Sequence, residues 1–353
     1  MEHQFKESDV KASLIESIRL QPDMYLECLS AKGLCAMIES LVLDLLSSAK
    51  MEDVTIELNE ENTVRIISSD ISVEPIIRKL NILNSSDALT AHKNIQDLAI
   101  LIALSEAVKI EVYDAGKIYT LAGEKGKFSL NVDEGYLRED LIIDFTPDKS
   151  IFETTDVNFE YLCSVFRRIS HLNAAVKITC VDNSHEDFQQ SVFHYPDGIF
   201  AKMDNLVLER SIDEPSLRLD IDESRGEFKY KISFCFLDYS ISPYVQSFAG
   251  YRETLYHGSL VNGVVLGIIR SITDFGNKNN LNIEVSDSSI GSNGFMLITS
   301  VIGSEFKYAG PLKIELDQPE IEIAVEEIVY NRLSNYFEIN KEKAIQFVEK
   351  FSN

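Results

Sequence analysis

An amphipathic helix pattern near the amino terminus places the strongest constraint on the fold. Within residues 31–49, apolar side chains recur at intervals of three and four, which puts them on one stripe of a helix. They are Leu34, Met37, Ile38, Leu41, Val42, Leu45 and Leu46. Two alternating segments follow at residues 54–58 and 63–67, and the polar stretch 59–62 between them predicts a hairpin.

The next part of the chain continues with mixed helix and strand patterns. Residues 94–107 predict a largely buried helix, and three strand-like runs follow it with Gly116 and Gly126 at the turns. Another strand (141–147), a helix (158–172) and a strand (175–182) come next. Helices that flank one mixed sheet predict an α+β sandwich, which we assign to a first domain at residues 1–210.

A second cycle of elements predicts a second domain at residues 211–353. A strand begins at Phe228, a long helix covers 259–277, a strand begins at Phe295 and a final helix covers 320–337. Strand, crossover helix and strand form a right-handed βαβ unit. The acidic residues 211–227 are interpreted as the seam between the domains.

Composition supports two globular domains. The chain has 353 residues, more than one core usually covers, and 45% of them are hydrophobic. The amino terminus has no apolar signal segment and no later run is long enough to span a bilayer, so we expect a cytoplasmic protein that does not enter membranes.

The cysteines predict core thiols rather than a disulfide framework or a zinc site. They are odd in number and show no C-x-x-C spacing. They are Cys28, Cys35, Cys163, Cys180 and Cys235.

Net charge limits the partners that the chain can bind. Its 57 acidic and 33 basic residues give a net charge of -24, whereas DNA phosphates are bound by clusters of Lys and Arg. Direct DNA binding is therefore not expected. The charge fits either a solubilising surface or a DNA-mimicking one, and the sequence leaves both open.

Several segments, in order along the chain, resemble the DNA gyrase B and topoisomerase IV B family. IRLQPDMYL at 18–26 is similar to the family's R-P-G-M-Y-I-G segment, and YHGSLVNG at 256–263 is similar to its G-G-T-H helix start. Other similar segments lie at 103–119, 145–162, 169–182, 193–199 and 319–337.

The resemblance implies a fold, an activity and cofactors. The fold would be a GHKL (Bergerat-type) α/β sandwich followed by a ribosomal-protein-S5-like βαβ transducer domain. The family's activity is that of an ATP-hydrolysing type II DNA topoisomerase, with ATP and Mg²⁺ bound in the first domain. The family's DNA-cleaving domain would follow the transducer, and it is not expected here because the sequence ends at Asn353.

The first helix of the family's nucleotide site carries a glutamate as general base and an asparagine that holds Mg²⁺. Ser40 stands at the glutamate position and Asp44 at the asparagine position. Serine cannot accept a proton from water at neutral pH. Asp44 could hold a metal weakly, but we favour a structural or solvated role for it. Glu39 is the nearest carboxylate to the position of the base, but one residue along a helix rotates it by about 100°.

Three other family motifs are also replaced. The adenine-reading D-x-G-x-G motif corresponds to residues 68–72, with Ser68, Asp70 and Ser72 at its three defined positions, and Ile71 disfavours unusual backbone angles there. The glycine-rich phosphate lid corresponds to residues 94–99, which begin at Asn94 and lack glycine.

The lysine that would sense the terminal phosphate falls at Pro311, with Lys313 nearby, and a G-T-T segment is replaced by residues 140–142. His92 and Lys93 remain as phosphate contacts or, as we favour, solvated loop residues.

We therefore predict a gyrase B-like pseudoenzyme, a non-catalytic scaffold that binds neither ATP nor Mg²⁺ and has no catalytic residue or metal site. Phe5 and Val10 resemble anchors of the family's dimer arm, so a homodimer is expected, with a topoisomerase subunit as a further candidate partner. Two alternatives stay open: a divergent ATP-binding fragment of a type II topoisomerase, and an acidic decoy or regulator of one.

Overall fold

The computed structural model describes residues 7–85, 92–184, 187–210, 214–239, 242–310 and 312–352, with the backbone alone for 7–13 and 92–94. The chain divides into two compact units, Met1–Pro196 and Asp197–Asn353. Within the described ranges, no helix combines the length and apolar character needed to cross a bilayer.

The first unit is built from helices and one large sheet. Its helices are α1 (Glu7–Leu20), α2 (Ala31–Ala49), α3 (Glu74–Leu83), α4 (His92–Leu104) and α5 (Phe159–Leu172). Its strands are β1 (Asp53–Asn59), β2 (Thr63–Ser69), β3 (Ser105–Asp114), β4 (Lys117–Glu124), β5 (Lys127–Glu134), β6 (Asp140–Pro147), β7 (Lys177–Asp182) and β8 (Gln189–Phe193).

The eight strands form one mixed sheet in the order β5-β4-β3-β6-β2-β1-β7-β8. Strands β1 and β7 run parallel, with Ile56 opposite Cys180, and the other neighbours run antiparallel. Buried Val54, Ile56 and Leu58 alternate with more exposed residues along β1, so one face of the strand is covered. The α+β architecture and the hairpin predicted from the sequence are confirmed.

Helix α2 lies among the other helices of this unit. All seven apolar residues of its predicted stripe are buried, and the helix contacts α3, α4 and α5. Each large apolar side chain buried in this way stabilises the fold by about 1.5–3 kcal/mol. The helix ends at Lys50, whose backbone is left-handed with φ 51°. This burial fixes which α2 residues face away from the stripe, among them Ser40.

The second unit combines helices with a five-stranded sheet. Its helices are α6 (Ile199–Arg210), α7 (Ser259–Lys278), α8 (Asp287–Ser292), α9 (Pro319–Ile339) and α10 (Lys341–Val348). Its strands are β9 (Leu217–Arg225), β10 (Phe228–Phe236), β11 (Tyr244–Ala249), β12 (Arg252–Glu253) and β13 (Phe295–Ile302), in the order β12-β11-β13-β10-β9.

Helices α7 and α9 pack closely because two glycines of α7 face α9. A Cβ atom at Gly263 would lie 2.5 Å from the Glu322 carbonyl oxygen, and one at Gly267 would lie 2.8 Å from that of Glu326. Only glycine permits this approach, so these positions support the core of the second unit.

The structure places the division between the units earlier than residue 210. Helix α6 packs on β10 and β13 and therefore belongs to the second unit. The acidic segment expected as a seam contains β9, whose Leu217 and Ile221 are buried while it pairs antiparallel with β10. Alternating apolar residues thus outweigh the acidic composition of the segment.

The predicted βαβ unit is present, but with a different first strand. Strand β10 pairs antiparallel with β13, whereas the parallel partner of β13 is β11, a strand that was not predicted from the sequence. Helix α7 is therefore the crossover between β11 and β13. Likewise, α4 ends at Leu104 rather than at residue 107, because Ser105 already pairs with Pro147 of β6.

The five cysteines are free thiols, and four of them are buried: Cys35, Cys163, Cys180 and Cys235. Cys28 is only half-buried. The prediction of core thiols is therefore confirmed for four of the five.

Candidate functional site

The candidate site lies where α2, α3 and α4 meet. Ser40 and Asp44 are four residues apart on α2 and therefore share one face of the helix. Lys79 comes from α3 and Asp97 from α4, and both interact with this face. The structure thus brings together two residues that the sequence singled out and two that it did not.

An ion pair occupies the position where the resemblance would place Mg²⁺. The Lys79 Nζ atom donates to both carboxylate oxygens of Asp44, at 2.5 and 2.6 Å, and to Ser48 Oγ at 3.2 Å. The side chains of Lys79 and Asp44 are 11% and 23% exposed. Removing one partner of a short, largely desolvated pair costs more stability than removing one partner of an exposed pair. The structural role favoured for Asp44 therefore has a specific partner.

Asp97 adds a second carboxyl group to this cluster. Burial, followed by the nearby charge of Asp44, raises the pKa of Asp97 to about 6. Lys79 and the Ser40 hydroxyl act in the opposite direction and favour the charged form. One ammonium group therefore balances two carboxyl groups, and little positive charge remains for a further anion.

No general base replaces the glutamate that the resemblance implies at the described α2 positions. Ser40 is exposed and faces Asp97. Glu39, the adjacent carboxylate, accepts a 2.5 Å hydrogen bond from Arg168 of α5. The Glu39 side chain is thus directed toward α5, as the helical rotation predicted. Arg168 Nε is buried without a hydrogen-bond partner, so this guanidinium depends on Glu39 for its neutralisation.

The segment at residues 68–72 is held by its own backbone and side chains. Ser68 is buried and its hydroxyl donates to the Asp53 carbonyl oxygen at 2.6 Å, while the Ser72 amide donates to the Ala49 carbonyl oxygen at 3.0 Å. Ile71 is buried in an ordinary conformation. Asp70 instead adopts the left-handed angle, with φ 55°. The left-handed conformation in this segment thus lies at exposed Asp70, a residue type that tolerates it, and not at Ile71.

Residues 140–142, at the replaced G-T-T segment, lie in β6. Asp140 is largely buried and forms a 3.0 Å ion pair with Arg138. The Arg138 guanidinium lies 3.8 Å from the centre of the Tyr113 ring. These contacts stay within the β3–β6 part of the sheet and give a structural reason for an aspartate at this position.

Several predicted residues lie outside this cluster or outside the described residues. Asn94, like His92 and Lys93, lies in the first turn of α4, where only the backbone is described. Phe5 falls outside the described residues, and Val10 lies in α1 with its side chain not described. Lys313 is exposed in the second unit, with φ 56° and its amide donating to the Gly310 carbonyl oxygen.

Lys79 and Asp97 were missed from the sequence, although each carries a signal. Lys79 lies beside Leu80 and three residues after Ile76 in the apolar stripe of α3, and Asp97 interrupts the apolar run of α4. A charged residue inside an apolar stripe predicts a buried partner of opposite charge. What the sequence did not provide was the pairing between residues 44 and 79.

Asp44 and Ser40 stand at the positions where the resemblance implies a Mg²⁺ ligand and a general base. Asp44 already binds an internal cation, and among the described residues no group of three His, Cys, Asp or Glu side chains is arranged to hold a metal ion. Ser40 offers a hydroxyl group where proton abstraction would require a carboxylate.

Comparisons with known proteins agree with the resemblance. A family model described as DNA gyrase B matches residues 199–353. The chain is 26% identical over 263 residues to the DNA gyrase B protein of Archaeoglobus fulgidus, covering 72% of this chain and 40% of that protein. It is 24% identical over 365 residues to the type 2 topoisomerase B protein of Aquifex aeolicus, covering 95% of this chain and 45% of that protein. The chain thus spans less than half the length of these two relatives.

Solved structures share the fold over nearly the whole chain. The 43K ATPase domain of Thermus thermophilus gyrase B, solved in complex with an aminocoumarin, superposes with a TM-score of 0.77 at 21% identity, covering 98% of this chain and 95% of that one. The topoisomerase IV ATP-binding domain of Francisella tularensis gives a TM-score of 0.74 at 19% identity, covering 96% of this chain and 95% of that one. By the family match over residues 199–353, by sequence and by fold, this chain is similar to proteins of the DNA gyrase B family.

Proposed function

We propose that this chain is a gyrase B-like pseudoenzyme, a scaffold that retains the family's fold and does not hydrolyse ATP. The observation that carries the proposal is the position of the Lys79 ammonium group, which donates to both carboxylate oxygens of Asp44. An internal cation takes the place that a metal ion would need.

Binding of Mg²⁺ and a triphosphate would have to disrupt this pair. Freeing Asp44 leaves the Lys79 charge in a largely buried position, and breaking buried pairs costs about 3–5 kcal/mol. Micromolar binding corresponds to about 8 kcal/mol in total, so this cost is a large part of it. Asp97 would add a further negative charge beside the phosphates.

Helix α2 also lacks a free carboxylate at the position where the resemblance implies a general base. Ser40 has no basic group at neutral pH, and Glu39 is paired with Arg168. A general base contributes about 10²–10⁴-fold to a rate, so its loss alone would slow turnover severely. Loss of binding and loss of chemistry therefore have separate structural causes.

The second unit supports a scaffold role. The family match at residues 199–353 falls within this unit, where Gly263 and Gly267 allow the close packing of α7 and α9. We propose that the protein acts through a surface of this retained scaffold, as a homodimer and as a binding partner of a topoisomerase subunit.

Phosphate release by the full chain, measured with ATP and Mg²⁺ over a range of protein concentrations, tests the catalytic part of the proposal. We expect no release above the buffer rate. Turnover that scales with the protein and disappears in Asp44→Ala would overturn it in favour of a divergent ATPase.

Light scattering without nucleotide tests the scaffold part, with a dimer expected. A monomer that captures a topoisomerase subunit only at low salt would instead support an acidic decoy, because salt screens exposed charges.

A further inference from the structure

Two thiols form a side-chain hydrogen bond where α5 packs against β7 of the first unit's sheet. Cys163 lies on the buried side of α5, and Cys180 lies in β7, which α5 contacts. Ser191 of β8 is the direct cross-strand partner of Cys180. Side chains of such a pair lie on the same face of a sheet, so Ser191 also faces Cys163.

The surroundings of Cys163 favour a thiolate. The Cys180 thiol interacts with the Cys163 sulfur and lowers the pKa of Cys163 to about 7, with further contributions from the Ser191 hydroxyl and the Arg167 charge against the effect of burial. The same interaction, together with burial, raises the pKa of Cys180. The two thiols thus differ: one is readily ionised and the other keeps its proton.

Cys163 also lies near solvent. It is 7% exposed, whereas Cys180 is fully buried. Arg167 is exposed, Ser191 is half-buried, and β8 is an edge strand of the sheet. A small oxidant therefore needs to pass only this edge to reach the Cys163 sulfur.

The other cysteines are in a different environment. Cys35 and Cys235 are fully buried, and burial raises the pKa of each to about 11. Cys28 is half-buried, a hydrogen bond with Ser30 lowers its pKa, and the described groups that act on it include no cysteine. Cys28 is therefore the natural internal control.

We propose that Cys163 is an oxidation site for a small hydroperoxide and that Cys180 is its resolving thiol, so that a reversible disulfide joins α5 to β7. In the first step, the Cys163 thiolate attacks one peroxide oxygen, forms an S–O bond and releases hydroxide. In the second step, the Cys180 sulfur attacks the sulfenic sulfur and forms the S–S bond as the Cys180 proton passes to the leaving hydroxyl group, so that the S–OH bond breaks and water leaves. Two thiols lose two electrons, and hydrogen peroxide is reduced to two water molecules.

Treatment of the full chain with a small excess of hydrogen peroxide tests this inference. We expect two of the five thiols to be lost, the intact mass to fall by two hydrogen atoms, and peptide mapping to show a Cys163–Cys180 disulfide that dithiothreitol reverses. Cys180→Ser should keep the sulfenic acid at Cys163, where dimedone traps it, and Cys163→Ser should leave Cys180 reduced.

Cys28→Ser is the matched control and should form the disulfide at the wild-type rate. The inference is overturned if Cys163 reacts no faster than Cys35 in the folded wild-type chain, or if the main products are Cys28 adducts or intermolecular disulfides. The wild-type mapping decides the matter even where a variant folds poorly. We expect Cys163 to react at least about tenfold faster than Cys35, since thiolates and not thiols are the nucleophiles.

Discussion

The Lys79 ammonium group lies 2.5 and 2.6 Å from the two carboxylate oxygens of Asp44, and so joins α3 to α2 through a largely buried ion pair. The two residues are 35 positions apart in the sequence. In a chain with a net charge of -24, the Lys79 ammonium group thus lies beside two carboxyl groups, those of Asp44 and Asp97.

Removal of one partner of this pair should destabilise the first unit. Lys79→Met leaves the Asp44 charge partly buried and unpaired, and we expect a loss of about 2–3 kcal/mol in the free energy of unfolding. The double variant Lys79→Met with Asp44→Leu should recover most of this loss, because it removes both charges. Urea unfolding of the single and double variants measures the coupling, and additive losses would contradict it.

Asp97 should make stability depend on pH. Its folded pKa is raised to about 6 from the ordinary value of 3.8, so the folded state holds this proton more tightly than the unfolded state. Its contribution to stability is therefore most favourable below about pH 4, and it declines as pH rises to about 6. Above that pH, the contribution of Asp97 to the free energy of unfolding stays constant at its lower value.

Asp97→Asn should remove this dependence. At pH 7, where the wild-type carboxyl group is charged, we expect the variant to be more stable than the wild type by on the order of 1–2 kcal/mol. The gain is limited because water reaches part of the carboxyl group. At acidic pH the difference should shrink. Urea unfolding at several pH values measures both trends, and equal stability of the two proteins at pH 7 would be evidence against a desolvated Asp97.

Glu39 should contribute through Arg168 rather than through chemistry. Glu39→Gln removes the charge that neutralises a guanidinium whose Nε atom is buried without a partner, and we expect a loss of about 1–2 kcal/mol. Asp144→Asn, which weakens the more exposed Arg65–Asp144 pair, is the matched control and should cost less than about 1 kcal/mol. Thermal unfolding compares them, and similar losses would show that Glu39 has no special role.

Gly258 should be essential to the second unit. Its φ is 86°, and an added Cβ atom would lie 2.1 Å from the Leu316 carbonyl oxygen, which accepts the Ser259 amide at the start of α7. We expect Gly258→Ala to cost more than about 2 kcal/mol. Gly310→Ala, where no described atom lies within 4 Å of the added Cβ, should be nearly neutral. Urea unfolding followed by circular dichroism measures the free energy of unfolding of both variants. A Gly258→Ala variant as stable as the wild type would contradict the predicted steric clash.

Local patterns in the sequence predicted most elements but not how they pair. The stripe of α2 needed only helical periodicity, and all seven residues predicted for it are among the buried residues of the helix. Strand β9 was missed because acidic residues alternate with Leu217, Leu219 and Ile221 and hide the strand pattern. Strand β11 was missed because its segment is rich in turn-forming residues, and its parallel pairing with β13 is a long-range contact.

The candidate site shows the same limit. Motif comparison placed Ser40 and Asp44 correctly on one face of α2, because both lie within a single helix. Lys79 and Asp97 reach them through the packing of α3 and α4, which local periodicity does not specify. The sequence therefore predicted which residues stand at the motif positions, whereas the structure identified the residues that contact them.

Calorimetric titration of the full chain with a non-hydrolysable ATP analogue and Mg²⁺ tests the central claim most directly. We predict no measurable heat of binding for the wild type, because the Lys79–Asp44 pair occupies the site and Asp97 adds negative charge. Saturable micromolar binding that Asp44→Ala abolishes would contradict the claim and show that the chain binds nucleotide.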